Sequence, residues 1–457
     1  MPDMNIRMKA VLTAILFLAA IPLQDRLMAQ SVQDTGKEAD SEIMGEPIIP
    51  GLRRPTIPQG FSRDTISIGP DVFRLADASN QFGFNLLDQI GDSDWGGNIF
   101  ISPASAAMAL AMVFNGARQD TETAMDSVLA FGDWSLDSIN AANRKLSERM
   151  NSFEDVQLSI ANSLWMSDHM EFKDEFLRRV QAAYAADIRE VNLQDRETPT
   201  LINHWVAQKT NGRIQKIIEK IDDRLVMLLI NAIYFKGTWT YQFDDKLTSD
   251  RQFTLLDGTS FRHPLMEQNH EFYYLETSDF QAISLPYGDG EMSMVVMLPS
   301  SSLGLDGLRK QLSPDNWQTW VKGLERREGT IVLPRFRLEY EKNLNDPLKE
   351  MGMAIAFNPV EADLTDMWYP IQPVNVGAAM ANIQNLYIGK VMQKTFLEVN
   401  EEGTEAAAVT SVGIVATSAM HEERPPFRMV VDRPFFCAIV DKPTGLVLFM
   451  GFIMDPR

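Results

Sequence analysis

The sequence predicts a mixed α+β domain with large sheets, and three observations carry that prediction. Helix-spaced and strand-like runs are interspersed from about Asp71 to the end, with no internal repeat and no strict strand–helix–strand alternation. One strand-like run is apolar almost throughout, as expected of a strand covered on both faces. A hydrophobic content of 45%, with 8 Trp and 25 Phe, supplies a sizeable core. The 457 residues would suit roughly three domains of about 150 residues each, and one large fold is also compatible with that length.

The elements follow in chain order. Arg7 and Lys9 precede an apolar run from Ala10 to Leu23, and Leu27-Met28-Ala29 fits a small-residue cleavage site. The run is shorter than the roughly 20 residues of a membrane span, so residues 1–29 read as a cleaved export signal, with an uncleaved anchor as the rival. Residues 30–70 hold Glu38, Asp40, Glu42 and Glu46, then Pro47, Pro50, Pro55 and Pro58. Proline at that density interrupts helices and ladders alike, so the segment reads as a semi-extended linker. The body spans 71–457. Leu75, Ala78, Phe82, Leu86 and Ile90 are spaced as one face of an opening helix. A second, Ala-rich helix is capped by Ser102, admits Pro103 in its first turn and can close at Gly116. Strands are expected at Leu225–Phe235, Met292–Leu298, Thr395–Val399, Phe435–Val440 and Leu446–Met450.

Several function classes drop out. A net charge of −20 argues against nucleic acid, whose phosphates are bound by clustered Lys and Arg. A single cysteine, Cys437, excludes an internal disulfide, a CxxC pair and any multi-cysteine metal site. Gly91–Trp95 lacks the last glycine of a nucleophile elbow, and neither His270 nor His421 is followed by the second His of a zinc helix. Gly288-Asp289-Gly290 never completes a dinucleotide fingerprint. No catalytic residue, metal site or cofactor is expected from local sequence, although a Ser-His-Asp triad, which is defined in space, stays open at this point. His204, beside Trp205 in a helical stretch, reads as packed or hydrogen-bonded rather than as a base.

One segment stands apart. Between Glu401-Glu402-Gly403-Thr404-Glu405 and His421-Glu422-Glu423-Arg424-Pro425-Pro426, the span from Ala406 to Met420 carries no charge and no proline. An ordinary buried strand or small-residue loop has a similar composition. A normal interior strand is rarely so long, however, and triple alanine is poor strand-forming sequence. It reads better as a segment that is mobile in one state and a strand in another.

At this point the chain resembles the serpin family of serine protease inhibitors, over essentially all of 71–457. The matching motifs stand in family order: Asn98-Ile-Phe-Ile-Ser-Pro-Ala-Ser105, Asn231-Ala-Ile-Tyr-Phe-Lys-Gly-Thr-Trp239, Leu333-Pro-Arg-Phe-Arg337, Val399-Asn-Glu-Glu-Gly-Thr-Glu-Ala-Ala-Ala408, Asp432-Arg-Pro-Phe435 and Thr444-Gly-Leu-Val-Leu-Phe-Met-Gly451. The resemblance implies three β-sheets, eight or nine helices and an exposed reactive-centre loop. It implies a suicide substrate, not an enzyme. The target protease cuts the loop, an acyl-enzyme forms, and the cut loop inserts as a new central strand and carries the protease with it. The alternative is a non-inhibitory member acting as a binding or carrier module.

Insertion would turn every second side chain inward, beginning with Thr404, Ala406, Ala408, Thr410, Val412, Ile414 and Ala416. None is charged and none is proline, so a sheet can accept them all. About 14 residues at roughly 3.3 Å each span about 45 Å, most of the way across a body of this size. By resemblance, Glu401, Gly403, Thr404, Glu405, Ala406, Ala407 and Ala408 form the hinge. Ser102, Ser105, Asn231 and Gln393 form the polar shutter under the sheet, and Trp239 and Glu401 stand at the breach where insertion begins. Gln393 sits where many relatives carry a His, and glutamine does not change charge near neutral pH. Trp239 and Asn231 also have plain structural readings, as core aromatic and as satisfied polar group. The scissile bond is expected at Thr417–Ser418, with a shift toward Ala419 or Met420 allowed by the long stretch before Pro434. Small side chains there favour an elastase- or subtilisin-like serine protease as partner; Met420 would suit a chymotrypsin-like one. The protein is expected to be monomeric, exported to the periplasm or the exterior of a bacterium, and off the membrane once its signal is cleaved.

Overall fold

Pro70 in the first turn and the buried stripe of Leu75, Ala78, Phe82, Leu86 and Ile90 build α1 (Pro70–Asp94). They do so in a computed structural model that describes residues 68–153, 156–370, 385–404 and 425–457. The expected signal segment and most of the expected linker lie outside the described residues. After β1 (Ile99–Ile101), α2 (Pro103–Phe114) starts as its sequence dictates: the Ser102 side chain accepts from the Ser105 amide, and every residue of the helix is buried. Next come α3 (Gln119–Leu129), α4 (Leu136–Met150), β2 (Val156–Ser167), α5 (Asp174–Tyr184), β3 (Asp187–Val191), α6 (Thr198–Lys209) and β4 (Met227–Thr238). The middle of the chain supplies β5 (Ser249–Thr254), β6 (Ser260–Glu276), β7 (Phe280–Tyr287), β8 (Met292–Pro299), α7 (Gly304–Gln311) and α8 (Pro314–Lys322). It closes with β9 (Glu325–Pro334), β10 (Phe336–Asn343), α9 (Asn345–Leu348), β11 (Lys390–Val399), β12 (Gly403–Thr404), β13 (Phe427–Val430), β14 (Phe435–Asp441) and β15 (Leu446–Ile453).

The α+β class holds, with nine α-helices among the described residues. Nine strands are joined by hydrogen bonds, eight in one continuous path with β5 branching from β6, and they form two sheets sharing the long strand β6. Ser260–Leu265 pair with β5 and Leu265–Tyr274 with β9, whose other edge takes β13. Tyr273–Glu276 turn to β7, which leads on through β8, β14 and β15 to β1. The third sheet has the order β10-β11-β4-β2-β3, with β12 also on β4.

That third sheet has apolar material on both faces. Leu229, Ile233 and Phe235 of β4 join the main core with α2. Leu228, Ile230, Ala232 and Tyr234 join a second cluster with Trp165, Ile202, Trp205 and Val206 under α6. This is the period-2 alternation of a strand, with both faces covered. His204 is a correction to expectation. It is exposed on α6, because Ile202, Trp205 and Val206 occupy the packed face.

Candidate functional site

The third sheet is antiparallel throughout except at two pairs, β2/β3 and β11/β4. The second is the important one. β11 and β4 run side by side from Lys390↔Leu228 to Phe396↔Tyr234, and there the ladder stops. Leu397–Val399 continue on β10 alone among the described residues. The chain then reverses at Asn400–Glu402, and Gly403 and Thr404 return as β12, antiparallel to Thr238 and Gly237 of β4. A wedge thus opens at the end of the β11/β4 seam, and the two residues of β12 sit in its mouth.

Backbone and side chains fasten this turn. The Asn400 amide donates to the Gly403 carbonyl at 2.9 Å, and the Asn400 Oδ1 accepts from the amides of Glu402 and Gly403 at 3.1 and 3.2 Å. Trp239 donates its amide to the Glu402 carbonyl at 2.9 Å and its Nε1 to the Asn400 carbonyl at 2.9 Å. Its ring stacks on Tyr287 at 4.3 Å, and the Tyr287 hydroxyl lies 2.9 Å from the Thr404 Oγ1. Thr404 therefore points into the core, where burial pushes the Tyr287 phenol well above its ordinary pKa. The Glu401 carboxylate is buried but paired: Arg335 donates its Nε at 2.6 Å and Thr248 its hydroxyl. Gly403 has φ +145°, and a Cβ there would stand 2.2 Å from the Gly237 carbonyl oxygen and 2.7 Å from the Thr238 Cα. Only glycine lets the two backbones approach this closely.

Deeper in the seam lies a buried amide row. Asn162 of β2, Asn231 of β4 and Gln393 of β11 occupy one rung of the sheet. Asn231 donates its Nδ2 to the Asn162 Oδ1 and the Ser105 Oγ. Gln393 donates its Nε2 to the Asn231 Oδ1 at 2.7 Å and to the Ser102 carbonyl at 2.9 Å, and its Oε1 accepts from the Ser102 amide at 3.1 Å. The Ser102 hydroxyl donates to the Leu448 carbonyl at 2.6 Å, which ties the row to β15. All five side chains are buried, so each polar atom depends on these partners. The Gln393–Asn231 bond crosses the seam itself.

The structure thus brings Ser102, Ser105, Asn231 and Gln393 into one network, and Trp239, Glu401, Gly403 and Thr404 into another above it. Glu405, Ala406, Ala407, Ala408, Thr417 and Ser418 lie outside the described residues. Sequence reasoning missed Asn162, Tyr287, Arg335 and Thr248 as members of the site. Asn162 had a signal, since it is a polar residue in an apolar run, as Asn231 is; Tyr287 and Thr248 had none. Among the described residues no cluster of His, Cys, Asp and Glu could hold a metal ion. No described helix is long and apolar enough to cross a membrane. Burial pushes the Cys437 thiol far up, which keeps it unreactive.

A family model described as serpin (serine protease inhibitor) matches residues 77–456. The leukocyte elastase inhibitor of Sus scrofa is 33% identical over 396 residues, covering 84% of this chain and 100% of its own. An uncharacterized serpin-like protein of Thermococcus kodakarensis is 33% identical over 387 residues, covering 84% of this chain and 86% of its own. The crystal structure of tengpin, a thermophilic serpin in its native state, is similar with a TM-score of 0.72 at 31% identity, covering 88% of this chain and 97% of that one.

Proposed function

The chain belongs to the serpin family, and from that premise we propose that it inhibits serine proteases as a suicide substrate. The family and its relatives support protease inhibition in general. The observation that carries the finer reading is β12, the start of an antiparallel strand lodged where β11 and β4 part.

The energetics favour completing that strand. Seven parallel register pairs now join β11 to β4. A strand inserted between them, running as β12 runs, would be antiparallel to both neighbours. One parallel ladder would be exchanged for two antiparallel ones, which are slightly more stable per residue. The net gain is about one ladder; at roughly 0.5–1.5 kcal/mol per bond it reaches the order of 10 kcal/mol. That is comparable with the stability of a whole domain, so the uncut protein is metastable. The Gln393–Asn231 bond opposes the change, because insertion moves β11 and β4 from about 4.8 Å to about 9.6 Å apart. Cutting the loop at Thr417–Ser418 frees it to enter, with the acyl-linked protease still attached to its new end.

The small side chains before the expected bond, and relatives named for leukocyte elastase, favour an elastase- or subtilisin-like target. Incubation with elastase, subtilisin and chymotrypsin followed by denaturing gels tests the reading. A complex that survives denaturant supports it, and the mass of the released C-terminal fragment locates the bond. Loop cleavage without any complex across a broad protease panel would instead favour a binding or carrier role. The run Ala10–Leu23 supports export, for which N-terminal sequencing of the mature protein should begin near Gln30.

A further inference from the structure

A strand that slips by one residue turns every side chain to its opposite face. The sequence after β12 does little to prevent such a slip. With Thr404 turned to the core, the next inward side chains are Ala406, Ala408, Thr410, Val412, Ile414 and Ala416. After a slip they are Glu405, Ala407, Val409, Ser411, Gly413 and Val415. Beyond Glu405 both sets are small or apolar and uncharged, so a core would accept either. What fixes Thr404 therefore matters for every residue that follows it.

Thr404 sits in a socket that β4 itself builds. It lies opposite Gly237, and its one side-chain hydrogen bond among the described residues is the 2.9 Å contact with the Tyr287 hydroxyl. Both residues are fully buried. Tyr287 ends β7, yet its backbone is tied to the end of β4. It bridges Trp239, and the Gly288 amide donates to the Thr238 carbonyl at 2.8 Å. Its ring stacks on Trp239 at 4.3 Å and stands edge-on to Phe235 at 5.1 Å. Gly237 makes the room, since a Cβ there would come within 3.0 Å of that ring. The hydroxyl is thus a fixed point on the strand along which insertion would run. A slip offers it Gly403, which has no side chain, or Glu405, whose carboxylate would lose its water in the core.

We propose that Tyr287 is a positioning residue whose hydroxyl sets the register of the inserted strand, by fixing Thr404 as the first side chain turned to the core; this rests on the insertion reading of the function. Continued from Thr404↔Gly237, the register puts Glu405 opposite Lys236 and Val409 opposite Ala232. The first of these is a favourable cross-strand charge pair. The second reports insertion, because in the uncut protein Ala232 faces Lys394 of β11 instead.

The test reads register in the full, loop-cut chain by oxidative cross-linking between paired cysteines, scored by mass spectrometry. Ala232→Cys with Val409→Cys reports the proposed register, and Ala232→Cys with Ala408→Cys or with Thr410→Cys reports a slip either way. The cut parent and Glu405→Ala should both link only the first pair. Adding Tyr287→Phe to Glu405→Ala should raise the slipped yield relative to the first pair about two- to tenfold, the worth of one hydrogen bond. Thr404→Val removes the same bond from its other side and should give the same rise. Slipped links in Glu405→Ala alone, or an unchanged yield after both Tyr287→Phe and Thr404→Val, overturn the role given to Tyr287 and leave insertion standing. Absence of every link in the cut parent overturns insertion itself, and the register claim with it.

Discussion

Replacing Gln393 by Met keeps the side chain's length and removes its hydrogen bonds. In the uncut protein this leaves the Ser102 amide and the Asn231 Oδ1 buried without their partner, whereas the Ser102 carbonyl still accepts from the Ala106 amide at 3.1 Å. Two orphaned groups at about 1–3 kcal/mol each cost about 2–6 kcal/mol. At about 2.1 cal/mol/K per residue over a matched region of about 380 residues, that is a fall in Tm of about 3–7 °C. The loop-cut protein separates the two losses. The Ser102 contact does not cross the seam and is lost in both forms. The Asn231 contact does cross it, and under the proposed insertion the cut form would already have lost it. Scanning fluorimetry on uncut and cut samples of parent and Gln393→Met should therefore show the uncut form falling about 1–4 °C further than the cut form. An equal fall in both forms, or a larger fall in the cut form, would refute the claim that this bond holds the seam shut.

Gly403→Ala places a Cβ against the β4 backbone at a strained φ, and should cost the uncut protein about 1–3 kcal/mol. Faster hydrogen exchange at the amides of Trp239 and Gly403 reads this out, and Gly97→Ala, which meets open space, should be silent. Trp239→Phe keeps the stack on Tyr287 but loses the Nε1 bond to Asn400, and should lower stability by about 0.5–1.5 kcal/mol in denaturant titration. Burial pulls the Asp94 carboxyl up, but hydrogen bonds from Lys342, Tyr340 and Ser93 outweigh it and hold the group below the usual carboxylate range. Its contribution is thus present above the unfolded value of about 3.9 and is lost as pH falls through the folded one. The stability gap between parent and Asp94→Asn, measured from pH 6 to pH 2, should accordingly narrow below about pH 4.

Much of the fold was legible because burial writes itself into spacing. The stripe of α1, the Ser102-Pro103 start of α2 and the apolar run of β4 all appear where periodicity and capping place them. Strand β11 begins five residues before its apolar run, at Lys390, and the disguise is its polar content. Gln393 and Lys394 are buried strand residues satisfied by partners that a linear reading does not show. The seventeen-residue β6 was likewise hidden, because Gln268 and His270 stand on the covered side between Met266 and Phe272 and interrupt the apolar half of the alternation. In the site, Asn231 was readable as a polar residue inside an apolar run, and Asn162 obeys the same rule. Tyr287 meets Thr404 across more than a hundred residues of chain. Such a contact follows from the register of two sheets, which no local pattern encodes.

The central claim is that the segment beginning at Gly403 completes a strand between β11 and β4 once the loop is cut. Thermal unfolding of the same sample before and after cleavage near Thr417–Ser418 tests it most directly. A gain of about 10 kcal/mol from the added ladder corresponds to a rise in Tm of the order of 10 °C or more. The account predicts that rise, and an unchanged or lower Tm after cleavage would contradict it.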